Sequence, residues 1–259
     1  MVLAILQARF SSTRLPGKVL KPILGKPMLL RQIERVRRAE RIDRFMVATS
    51  TDASDNAIEN LCRENSIPCS RGSLNDVLDR FYQAARPLQP DHVVRLTGDC
   101  PLADPSLIDE IIAFHIEGGF DYTGNTIEQT YPDGLDVEVV KFAGLEAAWR
   151  EASLPSEREH VTPFIYRHPD RFTLGSYRNT TDLSSLRWTV DEPLDFELVT
   201  KIYEALYPLN PAFATQDILA LLDREPDLKT MNIHYQRNEG YKKSLAEDAA
   251  HTGKRSRHV

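Results

Sequence analysis

The chain has 259 residues, 41% of them hydrophobic and 27% charged, with a formal net charge of −6 and a pI near 5.7. This is ordinary globular composition, enough for one large α/β domain or one domain with a small appendage. The acidic balance excludes a general nucleic-acid binder, and no run approaches the ~20 apolar residues of a membrane span. Three cysteines (Cys62, Cys69 and Cys100) without CxxC spacing suit reduced thiols. The start lacks a signal-peptide pattern, so a soluble, cytoplasmic protein is expected.

Val2–Gln7 is a short apolar run that predicts a buried first strand. The loop after it carries Arg9, Ser11, Ser12, Thr13, Arg14, Gly17 and Lys18, and the chain has six basic residues and no acidic one before Glu34. Hydroxyls and backbone N–H groups can approach phosphate oxygens closely while Arg and Lys neutralise them. Neither GxxxxGK[ST] nor GxGxxG is present, so a P-loop and a dinucleotide fold are disfavoured. The segment predicts a triphosphate cradle, against the alternative of a solvated basic connection.

Further strands are expected at Phe45–Thr49, Ile67–Cys69 and His92–Leu96, with helices at Pro27–Glu40, Ser54–Glu64, Leu74–Arg86 and Pro105–Glu117. This alternation predicts βαβ units and a mostly parallel sheet. Gly118–Asn125, Leu135–Lys141, Arg171–Tyr177 and Leu186–Val190 read as strands. Phe142–Ala152, Glu157–Arg167, Pro193–Tyr207 and Thr215–Asp223 read as helices, with a turn at Tyr131–Gly134. Residues 1–235 form the expected domain. From 236 to 259 the chain turns polar and predicts a flexible tail ending in the basic run Lys254 to His258.

Two strands end in an acid. His92–Leu96 runs into Thr97, Gly98 and Asp99, at the sheet edge where ligands bind in α/β folds. Asp104-Pro105 already caps the next helix, which leaves Asp99 free for a cation. Magnesium on a triphosphate takes one or two carboxylates. Leu186–Val190 similarly ends in Asp191, which could equally be a helix cap, while Asp195 suits the helix dipole without any metal. Asp136 and Glu138 share a strand face and could reach a metal, or as easily be solvated or paired with an arginine. His160 has no second histidine at zinc spacing. Arg71, with Asp76 and Arg80 beyond it, is either a helix signal or a second basic contact.

With these segments together, the chain resembles the sugar-acid cytidylyltransferases (CMP-Kdo and CMP-acylneuraminate synthetases), and most of all their spore-coat polysaccharide (SpsF) branch. The likeness runs over about residues 1–230. It rests on QARFSSTRLPGK (7–18), LTGDCPL (96–102), RGS with DVLDR (71–80), YPDGLDVE (131–138), REHVTP (158–163) and TVDEP (189–193). Phe10 departs from the pattern, where Met or Gly is expected.

The resemblance implies a three-layer α/β/α, GT-A-like (Rossmann-like) nucleotide-diphospho-sugar transferase fold. Its mixed sheet is mostly parallel, and a sugar-site and dimerisation arm spans about 120–180. It further implies a homodimer that takes CTP and a sugar acid and needs Mg²⁺. Nucleotide contacts are expected from Gln7, Ala8, Arg9, Ser12, Arg14, Lys18, Arg71, Asp76, Arg80, Thr97 and Gly98. Lys18, Arg9 and Asp99 carry catalysis, Asp99 and Asp191 hold the metal, and Asn125, Asp136, Glu138, Arg158 and His160 meet the acceptor. A glycosyltransferase on the same fold is disfavoured because the strand ends Asp99-Cys100-Pro101 rather than Asp-x-Asp. Another nucleotidyltransferase and a non-catalytic nucleotide-binding protein remain the alternatives.

Overall fold

A computed structural model describes residues 1–237 and 239–255. In chain order it contains β1 (Val2–Gln7), a small hairpin of β2 (Pro22–Ile23) and β3 (Lys26–Pro27), α1 (Met28–Val36), β4 (Arg44–Ser50) and α2 (Asn56–Glu64). There follow β5 (Cys69–Gly72), α3 (Val77–Ala85), β6 (His92–Thr97), α4 (Pro105–Gly118), β7 (Tyr122–Gly124) and β8 (Glu138–Lys141). The chain continues through α5 (Phe142–Glu151), α6 (Pro155–His160), α7 (Pro163–Tyr166) and β9 (Leu174–Ser176). It closes with α8 (Pro193–Leu206), α9 (Thr215–Arg224), α10 (Pro226–Thr230) and α11 (Glu239–Arg255).

The main sheet has the order β5-β4-β1-β6-β8-β7-β9, and β8 alone runs against its neighbours. β1 lies in its interior, between β4 and the central strand β6, because its apolar run can be buried on both faces. Val2, Ala4 and Leu6 join one core with Met28 and Ile33 of α1, Ile108 of α4 and Val199 of α8. Leu3 and Ile5 join the other with Phe81 of α3, Leu145 of α5 and Ile165 of α7. A period of two in the strand thus feeds two helical layers, the expected α/β/α arrangement. The strands of the 120–180 region, β7, β8 and β9, extend this same sheet.

Three expectations need correction. Leu186–Val190 joins no strand. Leu186, Trp188 and Val190 are buried, as their alternation suggested, but the backbone bonds go elsewhere. Trp188 and Thr189 donate to the Asp133 carbonyl (2.6 and 2.8 Å) and Val190 donates to that of Asp99 (2.7 Å). Gly134 makes this crossing possible: its φ is +107°, and a Cβ there would lie 2.4 Å from the Thr189 nitrogen. The helix expected over Glu157–Arg167 breaks at Val161 (φ +73°), ahead of Pro163, which starts α7. The polar stretch expected as a tail instead carries α11, which packs along α6. Residues 256–258 of the basic run lie outside the described residues.

Candidate active site

The first loop is held from below. Buried Asp55 accepts from the Phe10 amide (2.6 Å) and from the Ser50 amide (3.0 Å) and hydroxyl (2.5 Å), tying the loop to the end of β4. The Phe10 ring lies against Gly17, whose φ of +67° turns the chain into Lys18. β1 and β6 end side by side, with Gln7 opposite Thr97 and the Gly98 amide donating to the Gln7 carbonyl at 2.8 Å. A Cβ on Gly98 would meet that carbonyl at 2.9 Å, so only glycine allows the approach.

Lys18 is the centre of the site. Its ammonium donates to Asp191 (2.8 Å), to Asp99 (3.3 Å) and to the Val190 carbonyl (2.7 Å). Burial pulls its pKa down, but the two carboxylates more than offset this and hold it above the ordinary value. Burial likewise opposes ionisation of Asp99, yet Lys18 and the Thr97 hydroxyl bring its carboxyl down to about 2. Asp191 is also 3.0 Å from Arg14 and 3.4 Å from Arg187. Its position is set by the fully buried Asp195, which accepts from the Asp191 and Glu192 amides, Arg187 and Asn232. Asp195 is thus the helix-terminal structural carboxylate its position suggested.

These groups open onto a cavity of about 950 Å³. Of the residues singled out in the sequence, Gln7, Ala8, Arg9, Ser12, Arg14, Lys18, Arg80, Thr97, Gly98, Asp99, Asp136, Glu138, His160 and Asp191 line it. Arg9 is exposed and has no hydrogen bond or ion pair to a described residue. Arg80 is only 2% exposed, donates to the Ser73 carbonyl at 3.0 Å, and keeps its Nε without a partner. Burial and the neighbouring Arg9 lower its pKa to about 10, with Asp55 opposing the shift.

Four expected residues do not reach the cavity, and each has a structural occupation. Arg71 lies on β5 and donates to the Ser50 and Asp52 carbonyls, Asn56 and Glu59. Asp76 caps α3 and takes both ends of Arg158, whose Nε is 3.0 Å from each carboxylate oxygen. Asn125 is buried, with its amide spent on the Leu135 carbonyl and the Val137 amide. Glu138 lines the cavity but is bound by Arg95, Tyr122 (2.6 Å) and Thr162 (2.5 Å).

Asp136 is different. Burial raises its carboxyl to about 7 despite Arg237 at 2.6 Å, and crowding by Asp133, Glu138 and Asp99 adds to the shift. His160 is pulled down to about 4 by burial and by Arg95, and its Nε2 meets the Ser244 hydroxyl at 3.0 Å.

Sequence reading missed Arg95, Asp133, Tyr166 and the α11 residues Glu239, Tyr241 and Lys243, all of which line the cavity. An arginine inside the apolar strand HVVRLT was the available signal for Arg95. The α11 residues had none, since a polar terminus looks the same whether it folds back or not.

The donor set suits a hard divalent cation. Two carboxylates converge on one ammonium, and the buried Gln7 Oε1 nearby has no partner. Among the described residues no group of three or more His, Cys, Asp or Glu could hold a metal ion.

A family model described as cytidylyltransferase matches residues 3–239. The spore coat polysaccharide biosynthesis protein SpsF of Bacillus subtilis is 34% identical over 245 residues, covering 88% of this chain and 97% of that one. A 3-deoxy-manno-octulosonate cytidylyltransferase of Anaeromyxobacter sp. (strain K) is 37% identical over 122 residues, 46% of this chain and 48% of its own. A solved cytidylyltransferase structure from Leptospira borgpetersenii superposes with a TM-score of 0.84 at 30% identity, covering 89% of this chain and 97% of that one. The chain therefore belongs to the cytidylyltransferase family and is a nucleotidyltransferase.

Proposed function

We propose that this enzyme transfers CMP from CTP to the anomeric hydroxyl of a 2-keto-3-deoxy sugar acid, releasing pyrophosphate, in the making of a surface polysaccharide or glycan. The observation that carries this reading is Lys18 set between Asp99 and Asp191, in a cavity also lined by the unpaired Arg9 and by Arg80, whose Nε has no partner. A triphosphate answers each of those charges. The acceptor is inferred from the octulosonate relative and from the separate polar end of the cavity formed by Tyr122, Tyr166 and His160.

In this reading Arg9, Arg14 and Arg80 take the phosphate oxygens, with Ser12 and the backbone of the first loop as further donors. Lys18 turns from its carboxylates toward the phosphates and stabilises the charge that grows on the departing pyrophosphate. Asp99 and Asp191, released from Lys18, hold Mg²⁺. When bound, that ion neutralises phosphate charge and eases ionisation of the acceptor hydroxyl. Asp136 takes the hydroxyl proton, a role its position and raised pKa both suit. The rest of catalysis is positioning the two substrates in line. A homodimer and a cytoplasmic location complete the proposal, and light scattering against the 29.4 kDa chain tests the former.

Thermal shifts of wild type and Asp99→Asn with CTP, UTP, GTP and ATP, each with and without Mg²⁺, test the nucleotide half. A ligand at 100 times its Kd adds ~2.7 kcal/mol, which is readily seen. CTP with Mg²⁺ should give the largest shift, and Asp99→Asn should weaken the Mg²⁺-dependent part. Equal shifts from all four nucleotides, or a preference for another one, would overturn the cytidylyl assignment.

A further inference from the structure

α11 begins where the family match ends, at residue 239, and yet it forms part of the cavity wall. Its first residue, Glu239, pairs with Arg14 of the nucleotide loop at 2.9 Å. Further along, Tyr241 accepts from the Tyr166 hydroxyl (2.9 Å) and from Arg167 (2.7 Å), and Ser244 meets His160. The helix therefore runs from the nucleotide loop to the α6–α7 end of the cavity. Asp248 anchors it one turn later, accepting from the Ser156 amide (2.8 Å) and hydroxyl (2.6 Å).

Ser244 also fixes the state of His160. Its hydroxyl donates to Glu159 at 2.6 Å, so toward the imidazole it accepts, and His160 carries its proton on Nε2. Charge at this end is otherwise spent. Arg95 is paired with Glu138, and Arg167 is engaged by Tyr241 and Ser156. Arg9 and Lys243 are the cations lining the cavity that have no hydrogen bond or ion pair to a described residue, and Arg9 belongs to the nucleotide loop.

We propose that the stretch of α11 from Tyr241 to Ser244 is the acceptor-side wall of the active site and that Lys243, which lines the cavity within it, binds the carboxylate of the acceptor sugar acid. This rests on the sugar-acid reading above and adds the residue that selects for an acidic acceptor. It assigns that selection to a segment outside the span that defines the family.

The test is steady-state pyrophosphate release from CTP and 3-deoxy-manno-octulosonate by wild type, Lys243→Gln, Lys243→Arg and Lys242→Gln. Lys242 is the control, an exposed neighbour that bonds Gln236. Lys243→Gln should raise the acceptor KM at least tenfold while the KM for CTP stays within twofold. Lys243→Arg should stay within threefold of wild type for both, and Lys242→Gln should match wild type. An unchanged acceptor KM in Lys243→Gln, an equal rise for CTP, or the same loss in Lys242→Gln would overturn the role of Lys243 and leave CMP transfer standing. A wild type that makes no product from sugar acids would overturn the parent reading and this inference with it.

Discussion

Lys18 holds two carboxylates that, in the proposed mechanism, would turn to a metal ion when nucleotide binds. The same side chain can therefore keep Asp99 and Asp191 together in the free protein and neutralise phosphate in the complex. Lys18→Ala should lower kcat/KM for CTP by about 100-fold, or ~2.7 kcal/mol of transition-state stabilisation. A loss confined to the acceptor KM would contradict its place on the phosphates. Asp136 must be ionised to accept a proton, and its carboxyl sits at about 7. kcat should therefore rise with pH through about 7 in the wild type. Asp136→Asn should cost on the order of 10²-fold in kcat and abolish that limb. A variant that retains both rate and pH profile would remove Asp136 from the proton's path.

At the scale of elements, the strands do more than form a core. β6 delivers Asp99, and its carbonyl draws in the 187–190 segment so that Asp191 arrives opposite. The other end of β6 carries a separate device. His92 Nδ1 meets His115 Nε2 at 3.0 Å, and His115 Nδ1 meets Thr123 at 2.9 Å. Burial lowers the His115 pKa to about 4, with His92 adding to the shift. A folded pKa below the unfolded value means full stability above about 6.5, lost as pH falls toward 4. The loss is on the order of 3 kcal/mol. Denaturant unfolding between pH 7 and 4 should show it, and His115→Gln should flatten the curve. An unchanged slope would show that His115 is not the titrating group.

Much of this was legible in the sequence because local chemistry and global position coincide. β1, β4 and β6 are apolar runs too short for helices, and the basic loop and Asp99 sit at their ends. What escaped were features decided by tertiary contacts. The 186–190 run has strand periodicity, but its hydrogen bonds are claimed by the Asp133 and Asp99 carbonyls. Arg71, Asp76 and Arg158 carry the charges of a binding site, yet Asp76 and Arg158 satisfy each other and Arg71 satisfies backbone around α2. No spacing argument separates an arginine reserved for a ligand from one already paired. Lys243 and Tyr241 lay in a stretch whose composition suggested solvent, and only packing against α6 brings them to the cavity.

At the scale of the molecule, two helical layers on one sheet border a cavity whose two ends differ in character. One end offers Arg9, Lys18 and a pair of carboxylates, the other tyrosines and a histidine that meets the closing helix. Among the described residues no helix is long and apolar enough to cross a membrane. The most direct measurement is to incubate the enzyme with Mg²⁺, CTP and 3-deoxy-manno-octulosonate and to follow both products by ³¹P NMR. The account predicts a CMP-sugar diester and pyrophosphate appearing in equal amounts, with UTP, GTP and ATP inert. Pyrophosphate formed only from another nucleotide, or only with a sugar phosphate as acceptor, would contradict it.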